Sequence, residues 1–266
     1  MDRLDELEAR SIYVIREAYA QYKNVAMLWS VGKDSTTLLW LVRKAFYGKI
    51  PFPVVHLDTT YKFPEMYEFR DARAKEWGFN LTVVKNEEAL KRGVGPNSGK
   101  LDCCTLLKTE ALKQGLDKMG FKAVFLGIRR DEHGIRAKER YFSPRDKDFK
   151  WNYKDQPPEL WDQFTVKADD DTHIRVHPIL HWTELDIWKY VKREGLPVVS
   201  MYFAKNGKRY RSIGCWPCTK PIDSNAATLD EIIHELETTK VGERSGRAQD
   251  KEQAYMMQKL RLLGYM

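Results

Sequence analysis

The stretch between residues 25 and 45 constrains the fold most, because it joins an apolar strand to an amphipathic helix through a short polar turn. The apolar run from Val25 to Trp29 predicts a buried strand, and apolar residues at helical spacing from Leu38 to Ala45 predict the helix. In an α/β protein, such a turn presents the N-terminus of a helix to phosphate. We therefore expect an α/β protein with an anion site where this strand ends.

The turn supplies the groups that a phosphate needs. Gly32 lets the backbone approach a ligand closely, and Lys33 supplies a cation. Hydroxyl donors come from Ser30, Ser35 and Thr36. The spacing is not that of a Walker A loop, which requires G-x-x-x-x-G-K-[ST]. Taken alone, these few residues also allow a surface turn with no ligand.

Further strands and helices alternate along the chain. Apolar runs predict strands at residues 54–58, 81–84 and 123–127, and helical spacing predicts helices at residues 4–22, 64–77 and 105–119. This alternation predicts an α/β fold with a doubly wound, mainly parallel sheet flanked by helices, followed by a C-terminal helical segment.

The second half of the chain carries weaker signals. Residues 144–173 are expected to be irregular, whereas Thr183 and Thr228 each open a capping box that predicts a helix. We assign residues 1–204 to a nucleotide-binding α/β domain. Residues 205–266 form a C-terminal segment whose helices are expected to pack on that domain.

Composition excludes some classes of protein. The chain of 266 residues is 42% apolar and 12% aromatic, which is enough for a substantial core and argues against disorder. The sequence has neither an apolar run long enough to span a bilayer nor a signal-peptide core at its N-terminus, so we expect a cytoplasmic protein without a membrane partner. The net charge of +7 suits an anionic partner, a nucleotide at least and nucleic acid as an option.

Charged residues follow two of the predicted strands. Asp58 ends the second strand, at the edge where α/β sheets place ligands. Five basic residues follow the fourth strand within a dozen positions: Arg129, Arg130, Arg136, Lys138 and Arg140. Guanidinium groups grip phosphate and sulfate through paired hydrogen bonds, so we interpret this cluster as an anion clamp rather than a solvated loop.

Several motifs together resemble one family. They lie at residues 30–35, 58–67, 129–132, 136–140, 182–188 and 243–247. The turn resembles the pyrophosphate loop, Ser-x-Gly-Lys-Asp-Ser, of the adenine-nucleotide α-hydrolase superfamily. The whole set is similar to the small, catalytic subunit of bacterial heterodimeric ATP sulfurylase, a branch of the PAPS reductase group. Nearly the whole chain takes part in the resemblance.

The resemblance implies cleavage of ATP between its α- and β-phosphates, with transfer of AMP. It implies an ATP site made of Ser30, Val31, Gly32, Lys33, Asp34, Ser35, Asp58, Arg136 and Arg140. The residues expected to act in catalysis are Lys33 and Asp34, together with Arg129 and Arg130. Lys33 would neutralise the departing pyrophosphate, and Mg²⁺ would bridge the phosphates near Asp34 or Asp58.

Two features depart from that family. The segment between Tyr202 and Arg211 is much shorter than the family's usual insertion, which argues against docking with its large GTPase partner. The chain also has four cysteines that the family does not lead us to expect: Cys103, Cys104, Cys215 and Cys218. With Lys108 four residues after the first pair, they resemble the [4Fe–4S] pattern of APS reductases.

Other roles for the cysteines stay open. Four thiolates also suit zinc, and reduced thiols without a metal are a third possibility. Vicinal cysteines are awkward for tetrahedral zinc, so we favour iron–sulfur, and a disulfide between them would be strained. A reductase needs a further nucleophilic cysteine near the C-terminus, but the tail from Leu260 to Met266 has none, which argues against APS or PAPS reductase activity.

Three functions fit the sequence. The basic charge, the cysteines and the short segment favour an ATP pyrophosphatase that activates an oxyanion for sulfur insertion into nucleic acid, as in DNA phosphorothioation, beside a cysteine desulfurase or another protein of a sulfur system. The alternative is a sulfate adenylyltransferase small subunit that makes APS from ATP and sulfate. A nucleotide sensor without turnover is the third, and the intact loop argues against it.

Overall fold

The first half of the chain alternates helices and strands, as its apolar pattern predicts. The computed structural model describes residues 2–164, 166, 173–239, 241–246, 259–260 and 262–264. The elements up to the third strand are α1 (Arg3–Tyr22), β1 (Val25–Leu28), α2 (Lys33–Ala45), β2 (Val54–Leu57), α3 (Pro64–Trp77) and β3 (Leu81–Val84). The bounds of α3 and β3 are those predicted from the sequence.

The rest of the chain adds shorter elements. They are α4 (Glu87–Lys91), α5 (Lys100–Cys104), a π-helical turn (Thr105–Glu110), α6 (Ala111–Met119), β4 (Ala123–Phe125), β5 (Phe142–Arg145), β6 (His173–Val176), α7 (Glu184–Glu194), β7 (Lys208–Arg209), β8 (Ile222–Asp223) and α8 (Leu229–Thr238). The two predicted capping boxes are both formed, Thr183 with Asp186 at α7 and Thr228 with Glu231 at α8.

Six of the strands form one mainly parallel sheet, in the order β3-β2-β1-β4-β6-β5. All neighbours pair in parallel except β5, which runs antiparallel to β6 at the edge. Residues of β1, β2, β4 and β6 are all buried, because helices cover both faces of the sheet. The predicted fold class, a mainly parallel sheet flanked by helices, is confirmed.

Two local expectations were wrong. Residues 144–173 were expected to be irregular, but Pro144 and Arg145 belong to β5. Its sequence, Phe-Ser-Pro-Arg, has no apolar run, and proline is tolerated because the strand lies at the edge. The helix expected from residue 105 already begins at Lys100, so the vicinal cysteines lie on a helix rather than before one.

Among the residues that the structure describes, none of the helices combines the length and apolar character needed to cross a bilayer. The helices expected in the C-terminal segment include a final one running to Tyr265, and most of it falls outside the described residues.

Candidate nucleotide-binding site

The turn between β1 and α2 lines a pocket at the carboxyl end of the sheet. The pocket lies where β1 and β4 are neighbours, which is where the strand order reverses, the usual ligand position in open α/β sheets. Five of the six turn residues expected to bind ATP line it: Ser30, Gly32, Lys33, Asp34 and Ser35. The sixth, Val31, is buried beneath the turn.

Backbone strain in the turn falls on Val31 rather than on glycine. Val31 has a φ of 68°, a left-handed conformation that costs a β-branched residue about 1–3 kcal/mol. Gly32 is extended, and a Cβ added to it would lie 3.5 Å from the nearest side-chain atoms, which is ordinary contact. The turn is held from outside, because the Lys33 amide donates to the Tyr202 hydroxyl at 2.9 Å.

The pocket has an apolar part and a cationic part. The apolar part comes from the ends of the central strands, at Leu28, Val55, Leu57, Leu126 and Ile128. The cationic part comes from Lys33, Lys62, Lys108, Arg136 and Arg244. An apolar recess beside a cluster of cations suits a ligand with a flat base and a polyphosphate.

Beside the pocket, Lys33 belongs to a buried network of charges. Its ammonium group donates to Asp34 at 3.0 Å and to Glu243. Arg129 donates to Asp34 at 2.6 Å, to Asp131 at 2.7 Å and to Glu243. The side chains of Lys33 and Arg129 are 1% and 0% exposed. The network therefore fixes the loop cation and its partners in one arrangement.

The pKa values follow from that arrangement. Burial lowers the pKa of Lys33, but the carboxylates of Asp34 and Glu243 outweigh it and hold the pKa above its ordinary value. Burial raises the pKa of Glu243, but Arg129 and Lys33 outweigh it and hold the pKa below its ordinary value. Both groups are therefore charged at neutral pH.

The structure separates the arginines that the sequence groups together. Arg136 lines the pocket and pairs with Glu132. Arg129 lies behind the pocket, in the buried network. Arg130 is directed elsewhere, since it bonds to His181 and to the Glu139 carbonyl at 2.9 Å. Arg140 is not among the lining residues.

The acidic residue after β2 also lies outside the pocket lining. Asp58 accepts hydrogen bonds from the Tyr67 hydroxyl at 2.7 Å and the Thr60 amide at 2.8 Å, and pairs with Lys85 at 3.2 Å. These contacts brace the turn after β2. Of the two aspartates considered for Mg²⁺, only Asp34 lines the pocket.

Both cysteine pairs lie beside this pocket, because Lys108, four residues after Cys104, and Gly214, next to Cys215, line it. Burial, with a smaller effect of the other cysteines, raises the pKa of Cys103 to about 12. Cys215 lies against Thr59, with 3.2 Å between Sγ and Oγ1, and its backbone bridges to Lys62. None of the four cysteines, all of which belong to the described residues, forms a disulfide.

Four thiols are the donor set of an iron–sulfur or zinc site. In the part of the chain that the structure describes, however, no group of three or more Cys, His, Asp or Glu side chains is arranged to hold a metal. The composition of the group fits such a centre and its present arrangement does not.

Some residues of the site carry no recognisable signal in the sequence. Tyr202 and Gly127 line the pocket but belong to none of the family motifs. Glu132 also lines it and lies in the motif at residues 129–132, which gives it no role. Glu243 and Arg244 lie in the motif at residues 243–247, which identifies the family without indicating that the segment reaches the loop lysine. Arg247 of that motif lies outside the described residues.

Comparisons with known proteins agree with this architecture. Residues 24–221 match the model of the phosphoadenosine phosphosulfate reductase domain family. Sulfate adenylyltransferase subunit 2 of Phocaeicola vulgatus is 44% identical, and the match covers 100% of this chain and 98% of that protein. The protein of the same name from Psychromonas ingrahamii is 45% identical with the same coverage.

Solved structures share the fold at low sequence identity. A PAPS reductase from Candida auris superposes with a TM-score of 0.56 and 17% identity, covering 83% of this chain and 98% of that one. FMN adenylyltransferase of Candida glabrata in complex with ATP gives a TM-score of 0.60 and 16% identity, covering 87% of this chain and 71% of that one. The chain belongs to the phosphoadenosine phosphosulfate reductase domain family, among relatives named sulfate adenylyltransferase subunit 2.

Proposed function

We propose that this chain transfers the adenylyl group of ATP to sulfate and releases pyrophosphate, as the catalytic subunit of a sulfate adenylyltransferase. The observation that carries the proposal is the pocket, in which a phosphate-binding turn, an apolar recess and several cations meet. Sequence patterns alone favour nucleic acid as the acceptor. The full-length relatives named sulfate adenylyltransferase subunit 2 favour sulfate instead.

In the proposed reaction, an oxygen of sulfate attacks the α-phosphorus of ATP. A bond forms between that oxygen and phosphorus, and the bond from phosphorus to the α,β-bridging oxygen breaks, so that pyrophosphate leaves with the electron pair. The first amides of α2 and Lys33 would hold the departing phosphates. Arg136 and Arg244 would hold sulfate in line with the leaving group. Asp34 and Arg129 would keep Lys33 in position.

Mg²⁺ is part of this proposal as the counter-ion that enters with ATP. It would spread the negative charge of the phosphates, and Asp34 is the carboxylate placed to approach it, since Asp58 lies outside the pocket lining.

Pyrophosphate release from ATP, measured with and without sulfate, tests the proposal. We expect release to depend on sulfate and to be matched by APS, resolved by anion-exchange chromatography. Release without sulfate, and without APS, would contradict sulfate as the acceptor. ATP left intact in both cases would contradict adenylyl transfer altogether.

The arginines supply a matched pair of variants. Arg136→Ala should lower kcat/KM for sulfate by about 100-fold, because it removes a pocket cation that would bind the oxyanion. Arg130→Ala should stay close to wild type, since its guanidinium bonds to His181 and a backbone carbonyl outside the pocket lining. Melting temperatures of both variants separate unfolding from loss of binding. Equal losses of activity would contradict the placement of the two side chains.

A partner and a location complete the proposal. The relatives are named as a subunit, which favours a partner chain. Their alignments extend over 296 residues against 266 here, so they also contain residues that this chain lacks. We propose that a large subunit assists this chain; activity should rise when that subunit is added. The four cysteines of the described residues form no disulfide, which suits the reducing cytoplasm, and this is the location we propose.

A second candidate function follows from the neighbouring cysteine pairs. Both pairs flank the pocket, since Lys108 and Gly214, which lie near them in the chain, are lining residues. If these thiols take up a [4Fe–4S] cluster, the chain would activate a nucleic-acid phosphate for sulfur insertion, with a cysteine desulfurase as sulfur donor. The net charge of +7 suits such an acceptor.

Metal analysis of anaerobically purified protein tests this candidate. It requires about four iron and four sulfide per chain, lost in Cys215→Ser, together with pyrophosphate release that depends on DNA. Zinc, or no metal at all, would contradict it. Iron with sulfate-dependent APS formation would instead give a sulfate adenylyltransferase that contains a cluster.

A further inference from the structure

Glu243 brings the C-terminal segment to the phosphate-binding turn. Its carboxylate bonds to Lys33 and to Arg129, although it lies 210 and 114 residues from them in sequence. The side chain is 5% exposed. Its neighbour Arg244 lines the pocket and faces Glu132 at 3.6 Å. Two adjacent residues of this segment therefore reach the site from outside the sheet.

The Glu243 carboxylate pairs with the Lys33 ammonium group, which is the cation that a polyphosphate would need. A lysine ammonium has three donors, and Lys33 gives two of them to Asp34 and Glu243. Arg129 is shared among Asp34, Asp131 and the same Glu243. The two buried cations thus face three carboxylates before any ligand enters. The charges of Lys33 and Arg129 are already neutralised by the chain itself.

A triphosphate cannot join this arrangement unchanged. Its β- and γ-phosphates would bring several negative charges beside Asp34 and Glu243, in a place where burial makes like-charge repulsion strong. Asp34 cannot move away, because it forms part of the first turn of α2. Glu243 can move, because it lies on a separate short 3₁₀ turn, Glu243–Gly246.

We propose that Glu243 is an internal counter-ion that ATP displaces. The carboxylate occupies Lys33 and Arg129 while the site is empty, and the phosphates of ATP take its place. Nucleotide binding is thereby coupled to release of residues 241–246 from the turn. This inference rests on the proposed function, since it requires ATP to bind at Lys33. Glu243 is a positioning residue that acts through Lys33 and Arg129.

The affinity of the full chain for ATP in the presence of Mg²⁺ tests the proposal by calorimetry. Glu243→Gln keeps the size and the hydrogen-bonding oxygen but removes the charge, so binding should tighten about tenfold and KM for ATP should fall. Glu235→Gln is the matched control, because it removes a carboxylate that pairs with Arg209 on the same C-terminal segment, outside the pocket lining. Its affinity should equal that of wild type.

Hydrogen exchange on the wild-type chain gives a second readout that needs no variant to fold. Adding ATP with Mg²⁺ should speed exchange of the backbone amides at residues 241–246, because their anchor to Lys33 is lost. Weaker binding by Glu243→Gln, or slower or unchanged exchange in this segment, would overturn the inference. If the wild-type chain does not bind ATP at all, the proposed function fails first.

Discussion

Lys33 shares its ammonium group between Asp34 and Glu243, so a substitution there affects folding as well as ligand binding. Removing one partner of a buried ion pair leaves the other charge without compensation. Loss of activity in a Lys33 variant is therefore informative only when stability is measured beside it.

Lys33→Ala should lower the free energy of unfolding by about 3 kcal/mol and abolish pyrophosphate release. Adding Glu243→Gln should restore part of that stability, because it removes one of the three carboxylates that Arg129 alone must then balance, but should not restore activity. Denaturant titration and the pyrophosphate assay measure the two effects. Activity in the double variant would show that Lys33 does not act on the phosphates.

His56 should make stability depend on pH. The ring is buried in β2, and its Nδ1 lies 2.9 Å from the Trp29 carbonyl. Burial, with a smaller effect of Lys62, lowers the pKa of His56 to about 4 from 6.5. Between these values the unfolded chain binds a proton that the folded chain does not, so stability falls as pH falls from 6.5 to 4, by at most about 3 kcal/mol from this residue.

His56→Asn tests this dependence. The asparagine amide can still donate to the Trp29 carbonyl but does not titrate. The variant should lose less stability than wild type when the pH is lowered from 6.5 to 4.5, as measured by denaturant titration. An unchanged pH profile would mean that the ring is protonated in the folded state.

Among the elements, the approach of β4 to the start of α2 decides the shape of the pocket. Gly127 follows β4, and a Cβ added to it would lie 2.9 Å from the backbone of Ser35. That distance is too short for any side chain. The strand and the helix N-terminus can approach this closely only because the residue between them is glycine.

Gly127→Ala should push α2 away from β4, lower stability by about 1–3 kcal/mol and weaken ATP binding. Gly134→Ala is the control, because nothing lies within 4 Å of a Cβ at that position and its φ is not positive. Thermal melts and ATP titrations of the two variants compare them. Equal behaviour would contradict the close approach.

Element boundaries were predictable where the local pattern is strong. Pro64 at the first position and Gly78 after the last residue define α3, and its predicted bounds are those observed. The edge strand β5 was not predictable, because its residues have no periodic pattern of their own. Its pairing with β6 depends on residues 28 to 34 positions further along the chain.

At the scale of the whole molecule, the boundary assigned at residue 204 divides a continuous set of contacts. Ala226 and Ile232 join the main hydrophobic core, and Arg211 pairs with Glu184 of α7 at 2.7 Å. Leu260 packs with Cys104, Ile135 and Trp151 in a second cluster. The C-terminal segment is thus expected to depend on the α/β domain for its structure.

We expect the full chain to unfold in one cooperative transition, with equal calorimetric and van't Hoff enthalpies. A fragment of residues 1–204 should show no such transition, because it exposes core positions, removes Glu243 from Lys33 and Arg129, and removes Arg211 from Glu184. Scanning calorimetry of both chains checks this. A cooperative transition in the fragment would show that residues 1–204 are an independent domain.

The sequence by itself determined the strand, the phosphate-binding turn and the helix that follows it. Whether such elements form depends mainly on residues that are close together in the chain. It also indicated the alternation that gives a mainly parallel sheet. Only the tertiary structure decided that Glu243 reaches Lys33, that Tyr202 caps the turn and that Arg130 lies away from Arg136. Such contacts join residues far apart in the chain, and no local pattern encodes which side chain a buried charge will meet.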